Sequence, residues 1–168
     1  SHPGAWGGWM DAGDFDRSLV PQRHYRVVQA MLDLYESAPD YFKKLGLNIP
    51  ESGNGIPDVV NEALWCMELF RRVQQADGGV PSSVESIEHP RRGETSWLDS
   101  LPLALTPPMP DTCYNWAATA AQMAWVLRDM DAELSAKYRE SAMRAIAWVD
   151  ANPDAPDIDL RSWMPRGF

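Results

Sequence analysis

The sequence predicts an all-α domain whose functional residues lie on the loops between its helices. Apolar residues recur at three- and four-residue steps in several separate segments, which is the spacing of a helix with one buried face. Strands do not alternate with helices as they do in βαβ folds, and Pro- and Gly-containing stretches separate the helical segments. Successive helices of this kind pack as pairs in an α/α barrel or a solenoid. The sequence has no internal repeat that would favour the solenoid.

Four long helices and one short helix follow from the periodicity and from the residues that end each segment. The second long helix has the clearest ends, because Asp58 and Glu62 lie near its start and Arg71-Arg72 near its end, as the helix dipole favours. The expected positions are about 17–37, a short helix over 40–45, 57 to a stop at 77–79, a helix capped by Asp111 or Thr112, and about 132–151.

Residues 80–112 carry little periodicity and several prolines. A strand or two is expected near 79–86 and 100–105. Loops of this length inside a compact domain are usually functional or disordered. The charged residues, His89 and Trp97 in this segment favour a functional loop.

The tryptophans and cysteines are assigned mainly by their context. Four of the eight tryptophans fall in helical patterns and are expected in the core, namely Trp65, Trp116, Trp125 and Trp148. Cys66 and Cys113 also lie in apolar helical segments, so buried free thiols are the simplest interpretation. No cysteine or histidine spacing indicates a zinc site.

Bulk composition excludes two classes of partner. The net charge is −9 and the isoelectric point is about 4.7, whereas nucleic-acid binding needs a basic surface. The same charge disfavours adhesion to anionic membranes. No apolar run approaches the roughly 20 residues that span a bilayer.

The most informative stretch is Gly7-Gly8-Trp9-Met10-Asp11-Ala12-Gly13-Asp14-Phe15. Its glycines disfavour a helix and permit a sharp turn, on which Asp11 and Asp14 can point the same way and share one water or ion. An adjacent Trp ring can stack on a sugar, so we interpret the stretch as half of a carbohydrate-processing site. A turn with capping carboxylates and a calcium site remain alternatives. For Trp9, packing in the core competes with stacking on a sugar.

Several motifs, in order along roughly residues 4–150, resemble glycoside hydrolase family 9, the family of endoglucanases and cellulases. The Gly7–Phe15 stretch is similar to the family's GGW-x-DAGD-[YF]. The other matching elements are Asn54-Gly55-Ile56-Pro57-Asp58 with Asn61-Glu62-Ala63-Leu64-Trp65, Asp77-Gly78-Gly79-Val80, and the Ala117–Ala121 segment.

The resemblance implies an (α/α)6 barrel and an inverting hydrolase that acts on β-1,4-glucans. By motif position, Asp14 is the general base and Asp11 helps to hold the attacking water. In an inverting enzyme a second, protonated carboxyl lies roughly 6.5–9.5 Å away, across the sugar ring. The resemblance also implies substrate-binding roles for Trp9, His89 and Trp97. It implies no required cofactor, although structural calcium is possible in the full-length parent.

The resemblance is incomplete, because the family's general acid is a Glu far downstream, outside these 168 residues. The chain is therefore expected to be the N-terminal part, over 1–168, of a catalytic domain whose C-terminal half of the barrel is missing. It is expected to be inactive alone, and its parent to be extracellular or periplasmic. A non-catalytic carbohydrate-binding or scaffold module of the same fold is the main alternative, and an unrelated terpene-cyclase-like α/α toroid is a further one.

Overall fold

The computed structural model of the chain describes residues 2–19, 23–98 and 101–156. The regular structure of this part of the chain is mainly helical, with a small sheet and one 3₁₀ turn at Ser96–Leu98. The helices are α1 (Arg23–Ser37), α2 (Pro39–Phe42), α3 (Asp58–Val73), α4 (Pro110–Leu127) and α5 (Ala132–Ala151). The strands are β1 (Arg17–Ser18), β2 (Ser83–Ser86) and β3 (Leu103–Leu105). The predicted set of four long helices and one short helix is confirmed.

Two predicted helix starts are wrong. The first long helix begins at Arg23 rather than near Arg17, because Arg17 and Ser18 pair with β2 as a strand. The fourth begins at Pro110, with Met109 in the cap position, rather than after a cap at Asp111 or Thr112. A proline fits the first turn of a helix, where its missing N–H group has no partner to lose. Strands near 79–86 and 100–105 were expected, and β2 and β3 confirm them within the described residues.

The long helices run parallel in two combinations, α1 with α4 and α3 with α5, while the most extensive helix packing is between α4 and α5. Polar side chains join α1 and α4 at three successive levels, through Tyr25 to Thr112, Gln29 to Thr119 and Asp33 to Gln122. Two contacts join the α3 region to α5. Tyr138 donates to Glu68 on α3, and Ser141 donates to Gln74, the residue after α3. Because both residue numbers rise together in each set, the two helices of each pair run in the same direction.

The core lies between these pairs, where small residues on α4 allow close packing against α5. Ala117, Ala120 and Ala124 are all buried on α4. The large buried side chain of the helix, Trp116, donates its indole N–H to Ser141 Oγ on α5 at 2.9 Å. Burying an indole is favourable only when its N–H finds such a partner.

Helix α4 also carries an exposed apolar stripe. On α4 the stripe consists of Tyr114, Ala118, Ala121 and Trp125, spaced as one helix face. On α1, Val27 and Leu34 are also exposed apolar side chains, outside this stripe. The prediction that Trp65 and Trp125 lie in the core is therefore wrong, since they are 42% and 57% exposed, whereas Trp116 and Trp148 are buried as predicted. Within the described residues, no helix is both long enough and apolar enough to cross a membrane.

The three strands form an antiparallel sheet in the order β1-β2-β3. Arg17 lies opposite Val84 and Ser18 opposite Ser83, and β3 pairs along the other edge of β2. The buried Thr106 hydroxyl accepts the Ser83 N–H at 2.8 Å, which continues the pairing beyond β3. The sheet therefore joins the N-terminal segment to the long loop between α3 and α4.

Both thiols are buried and unpaired, as predicted. Burial raises the pKa of Cys66 to about 12 and that of Cys113 to about 11. Both side chains therefore stay protonated at neutral pH and act as small apolar groups of the core.

The turn after α3 requires a glycine at position 78. Gly78 has a φ of +105°, and a Cβ atom there would collide with the backbone carbonyl of Arg144 on α5. We expect Gly78→Ala to lower the free energy of unfolding by about 3 kcal/mol or more, measured by chemical denaturation.

The matched control is Gly53→Ala, where φ is +89° but no atom lies within 4 Å of the added Cβ. This variant bears only the strain of a left-handed backbone, about 1–2 kcal/mol. Equal losses in the two variants would contradict the proposed contact with α5.

Candidate active site

The two predicted carboxylates, Asp11 and Asp14, lie on one closed turn. The Asp11 N–H donates to the Asp16 carbonyl at 2.9 Å, so the chain returns on itself between these residues. Phe15, directly after Asp14, has a φ of +69°, which is unusual for a bulky residue. Its burial, and the hydrogen bond of 2.8 Å from Arg17 Nη1 to its carbonyl, hold it in this conformation.

Asp14 has the environment that a general base needs. The residue as a whole is half-buried, but its Oδ1 atom is buried. Within the described part of the chain no group donates a hydrogen bond to that oxygen. A buried carboxylate oxygen of this kind gains free energy from any donor that reaches it, including the O–H of a bound water. Asp11, also half-buried, lies across the same turn.

The sequence analysis missed two further carboxyls beside the turn, Asp16 and Glu85. Continuing the β1–β2 register by one residue places Asp16 opposite Glu85. Asp16 Oδ1 accepts the Ser86 N–H at 2.6 Å, and the Glu85 carboxyl lies within hydrogen-bonding range of the Asp16 side chain. Burial, followed by this contact with Glu85, raises the pKa of Asp16 to about 8, and the charge of Asp14 acts in the same direction. In the sequence, the two-residue spacing of Asp14 and Asp16 is the signal of a strand here. The prediction of a helix from Arg17 left no strand that could pair with Glu85.

Trp9 is turned toward α3. Its indole N–H donates to Glu62 Oε1 at 2.7 Å, and its ring packs edge-on against His24 with 5.7 Å between ring centroids. Only part of Trp9 is therefore available to a ligand, and its predicted substrate contact stays a prediction.

The glycines before Trp9 allow the chain to lie close against α3. Gly8 has a φ of +76°, and an added Cβ would lie 2.7 Å from Leu69 Cδ2. The carbonyl of Gly8 accepts the indole N–H of Trp65 at 3.2 Å. This contact explains why Trp65 lies at the surface rather than in the core.

His89 and Trp97 lie on the loop that leaves β2 just after Ser86. Both side chains are exposed, and Trp97 is 80% exposed on its 3₁₀ turn. An indole that is this exposed can present a ring face to a ligand. Their substrate-binding roles stay predictions.

A separate cavity of about 900 Å³ lies at the other end of α1 from His24. It is lined by the ends of α1 and α4 and by the 43–58 loop, and it includes Tyr35, Asp58 and Trp125. It contains none of the predicted site residues. Among the described residues, no group of three or more His, Cys, Asp or Glu side chains is arranged to hold a metal ion.

An all-α domain that presents a carboxylate-bearing turn and exposed aromatic rings on its loops has the form of a carbohydrate-processing enzyme. The model of glycosyl hydrolase family 9 matches residues 4–162. The chain belongs to this family, and its fold is part of an (α/α)6 barrel.

Named relatives are much longer than the chain. It is 33% identical over 165 residues to a cellulose 1,4-beta-cellobiosidase of Acetivibrio thermocellus, covering 88% of the chain and 18% of that protein. It is 30% identical over 161 residues to endoglucanase C of Cellulomonas fimi, covering 88% of the chain and 14% of that protein. A solved structure, a D468A mutant of a thermostable endoglucanase from Alicyclobacillus acidocaldarius, matches with a TM-score of 0.80 and 26% identity, over 97% of the chain and 31% of that structure. The chain thus spans less than a third of the length of these proteins.

The contacts of Trp9 predict a stabilising role. Trp9→Phe keeps the ring but removes the hydrogen bond to Glu62, so we expect it to lower the free energy of unfolding by about 1.5–3 kcal/mol. The control is Trp97→Phe, which changes an exposed ring and should stay within about 0.5 kcal/mol of the wild type. Chemical denaturation of both variants checks this, and an unchanged Trp9→Phe would show that the bond to Glu62 adds nothing to stability.

Proposed function

We propose that the chain forms part of an inverting glycoside hydrolase that cleaves β-1,4-glucan, with Asp14 as the general base. The observation that carries the proposal is the buried Oδ1 of Asp14, which has no donor in the described part of the protein and lies on a turn closed by hydrogen bonds. A water held there would lose its proton to Asp14 while it attacks the anomeric carbon. Asp11 would hold that water in position from across the turn.

The substrate class is supported by the relatives, whose names include a cellobiosidase and an endoglucanase. The first name specifies a 1,4-β linkage in cellulose, and the second specifies a glucan. We therefore propose a β-1,4-glucan oligosaccharide or polysaccharide as the ligand, with Trp9, His89 and Trp97 contributing to its subsites. The exposed ring of Trp97 is the best placed of the three to stack on a sugar.

A second carboxyl must protonate the leaving oxygen from the opposite face of the sugar. In the proposal this is a Glu of the C-terminal half of the barrel, outside the chain, so the 168 residues alone are inactive. The exposed stripe on α4 supports this, because it is an apolar surface that further helices would cover.

Two further properties complete the proposal. The inverting reaction needs two carboxylates and a water, so no cofactor takes part, and any calcium would be structural and held by the longer parent. The parent would act outside the cytoplasm, in the extracellular space or the periplasm, because an insoluble glucan polymer cannot enter a cell.

The decisive variant is Asp14→Asn, placed in a polypeptide that carries the remainder of the barrel. We expect hydrolysis of soluble β-1,4-glucan to fall by about 10²–10⁴-fold, since the amide cannot accept the proton of water. Asp40→Asn, on the exposed face of α2, is the matched control and should keep full activity. Full activity in Asp14→Asn would falsify the assignment.

The 168-residue chain alone should show no hydrolysis in the same assay. Activity in the chain alone would contradict the proposal that the general acid lies elsewhere. If the longer polypeptide binds glucan but never hydrolyses it, the alternative of a non-catalytic sugar-binding or scaffold module is supported instead.

The exposed stripe predicts self-association of the isolated chain. Because apolar surface gains free energy when it leaves water, we expect the average mass from light scattering to rise with concentration. A Tyr114→Ser and Trp125→Ser double variant should reduce this association. Met143→Ser serves as the control, since Met143 is 66% exposed on α5, away from the stripe, and should change nothing. A double variant that associates as strongly as the wild type would exclude the stripe as the contact surface.

A further inference from the structure

We propose that Asp16 is a positioning residue, which fixes the Asp14 turn against β2 through a proton that it shares with Glu85. The inference rests on the proposed function, because it gives Asp16 a role in holding the base. It concerns two residues, Asp16 and Glu85, that no sequence motif singles out.

The backbone contacts of Asp16 place it at the junction of the turn and the sheet. Its carbonyl accepts the N–H of Asp11 at 2.9 Å and so closes the turn that carries Asp14. The next residue, Arg17, is already paired with Val84. Asp16 is therefore bonded to Asp11 at the start of the turn and is adjacent to the paired strand residue at its end.

The side chain of Asp16 joins the turn to β2. Its Oδ1 atom accepts the Ser86 N–H at 2.6 Å, and its carboxyl lies close enough for a hydrogen bond to that of Glu85, the residue directly opposite in the extended register. These contacts link the base-bearing turn to the strand from which the loop of His89 and Trp97 departs.

The hydrogen bond between the two carboxyls requires a proton. Two ionised carboxylates in opposite positions on neighbouring strands repel each other, and neither of them can donate. With one proton, Asp16 donates to Glu85 and the pair carries a single negative charge. Among the described residues, the charge of Asp14 disfavours a second negative charge on the pair, and the guanidinium of Arg17 is directed to the Phe15 carbonyl.

The protonation of Asp16 links the turn to pH in a defined direction. Burial and the contact with Glu85 raise the pKa of Asp16 from 3.8 to about 8 in the folded protein. Between these values the folded state holds a proton that the unfolded state has released. The contribution of Asp16 to stability is therefore complete below about pH 4 and is lost as the pH rises through 8.

The first experiment measures the free energy of unfolding of the 168-residue chain at pH 5 and pH 9. Asp16→Asn replaces the shared proton with an amide, which donates to Glu85 and still accepts from Ser86 at any pH. Glu85→Gln supplies an amide that can donate to an ionised Asp16, so the pair needs no shared proton. We expect the wild type to lose free energy of unfolding from pH 5 to pH 9. Both variants should lose less, so their stability relative to the wild type is higher at pH 9 than at pH 5.

The matched control is Glu88→Gln, an exposed carboxyl just beyond β2, which should keep the pH dependence of the wild type. If Asp16→Asn and Glu85→Gln also keep that dependence, no proton is shared and the proposal is overturned.

The second experiment measures positioning of the turn through hydrogen exchange at the Asp11 amide. Asp16→Ala keeps the backbone carbonyl that accepts this N–H but removes the link to β2. At a single pH we expect exchange at Asp11 to rise by about 10-fold or more relative to a buried core amide such as that of Leu69. Asp16→Asn should restore the protection. Equal changes at Asp11 and Leu69 would show that Asp16 contributes only to global stability, which overturns the positioning role.

A third experiment measures whether Asp16 affects catalysis by Asp14. In the longer polypeptide, Asp16→Ala should lower kcat more than it changes KM, with rescue by Asp16→Asn. If Asp14→Asn abolishes hydrolysis while Asp16→Ala leaves kcat unchanged, the base assignment stands and the positioning role is wrong. If Asp14→Asn stays active, the proposed function itself fails, whatever the stability and exchange measurements show.

Discussion

The structure around the candidate base depends on the pairing of β1 with β2. Only two residues of β1 take part, yet they join the N-terminal segment to a strand more than 60 residues later. This pairing fixes the end of the turn that carries Asp11 and Asp14, and it starts the loop of His89 and Trp97 from the same place. The helices supply the framework, but the sheet fixes the end of the carboxylate-bearing turn next to the start of the loop that carries the exposed aromatic residues.

Much of the helical framework was predictable because helices are indicated by local features of the sequence, namely apolar periodicity and capping residues. α5 follows the predicted range, and Asp131 caps it by accepting the Leu134 N–H at 2.9 Å. Asp11 and Asp14 could be identified because their spacing and the surrounding glycines are also local features. The structure places both on one closed turn, and their catalytic roles stay predictions.

The errors arose where the structure depends on residues distant in sequence. A two-residue strand has no periodicity of its own, so Arg17 and Ser18 were assigned to the following helix. Trp65 and Trp125 have the spacing of core residues, but spacing does not say which faces of a helix are covered. The pairing of Asp16 with Glu85 could not be predicted for the same reason, because it follows from a strand register and not from any short motif.

The buried thiols give the protein an internal reporter. Alkylating reagents attack the thiolate, and Cys66 and Cys113 are both protonated and inaccessible in the folded chain. Cys113 lies behind the segment that follows Gly79, and Cys66 lies inside α3, next to the backbone of Trp9. Covalent labelling of these sulfurs therefore counts molecules that have opened. A mass spectrum taken after a short exposure to reagent would rank variants by how often their interior becomes accessible, without any substrate or optical probe.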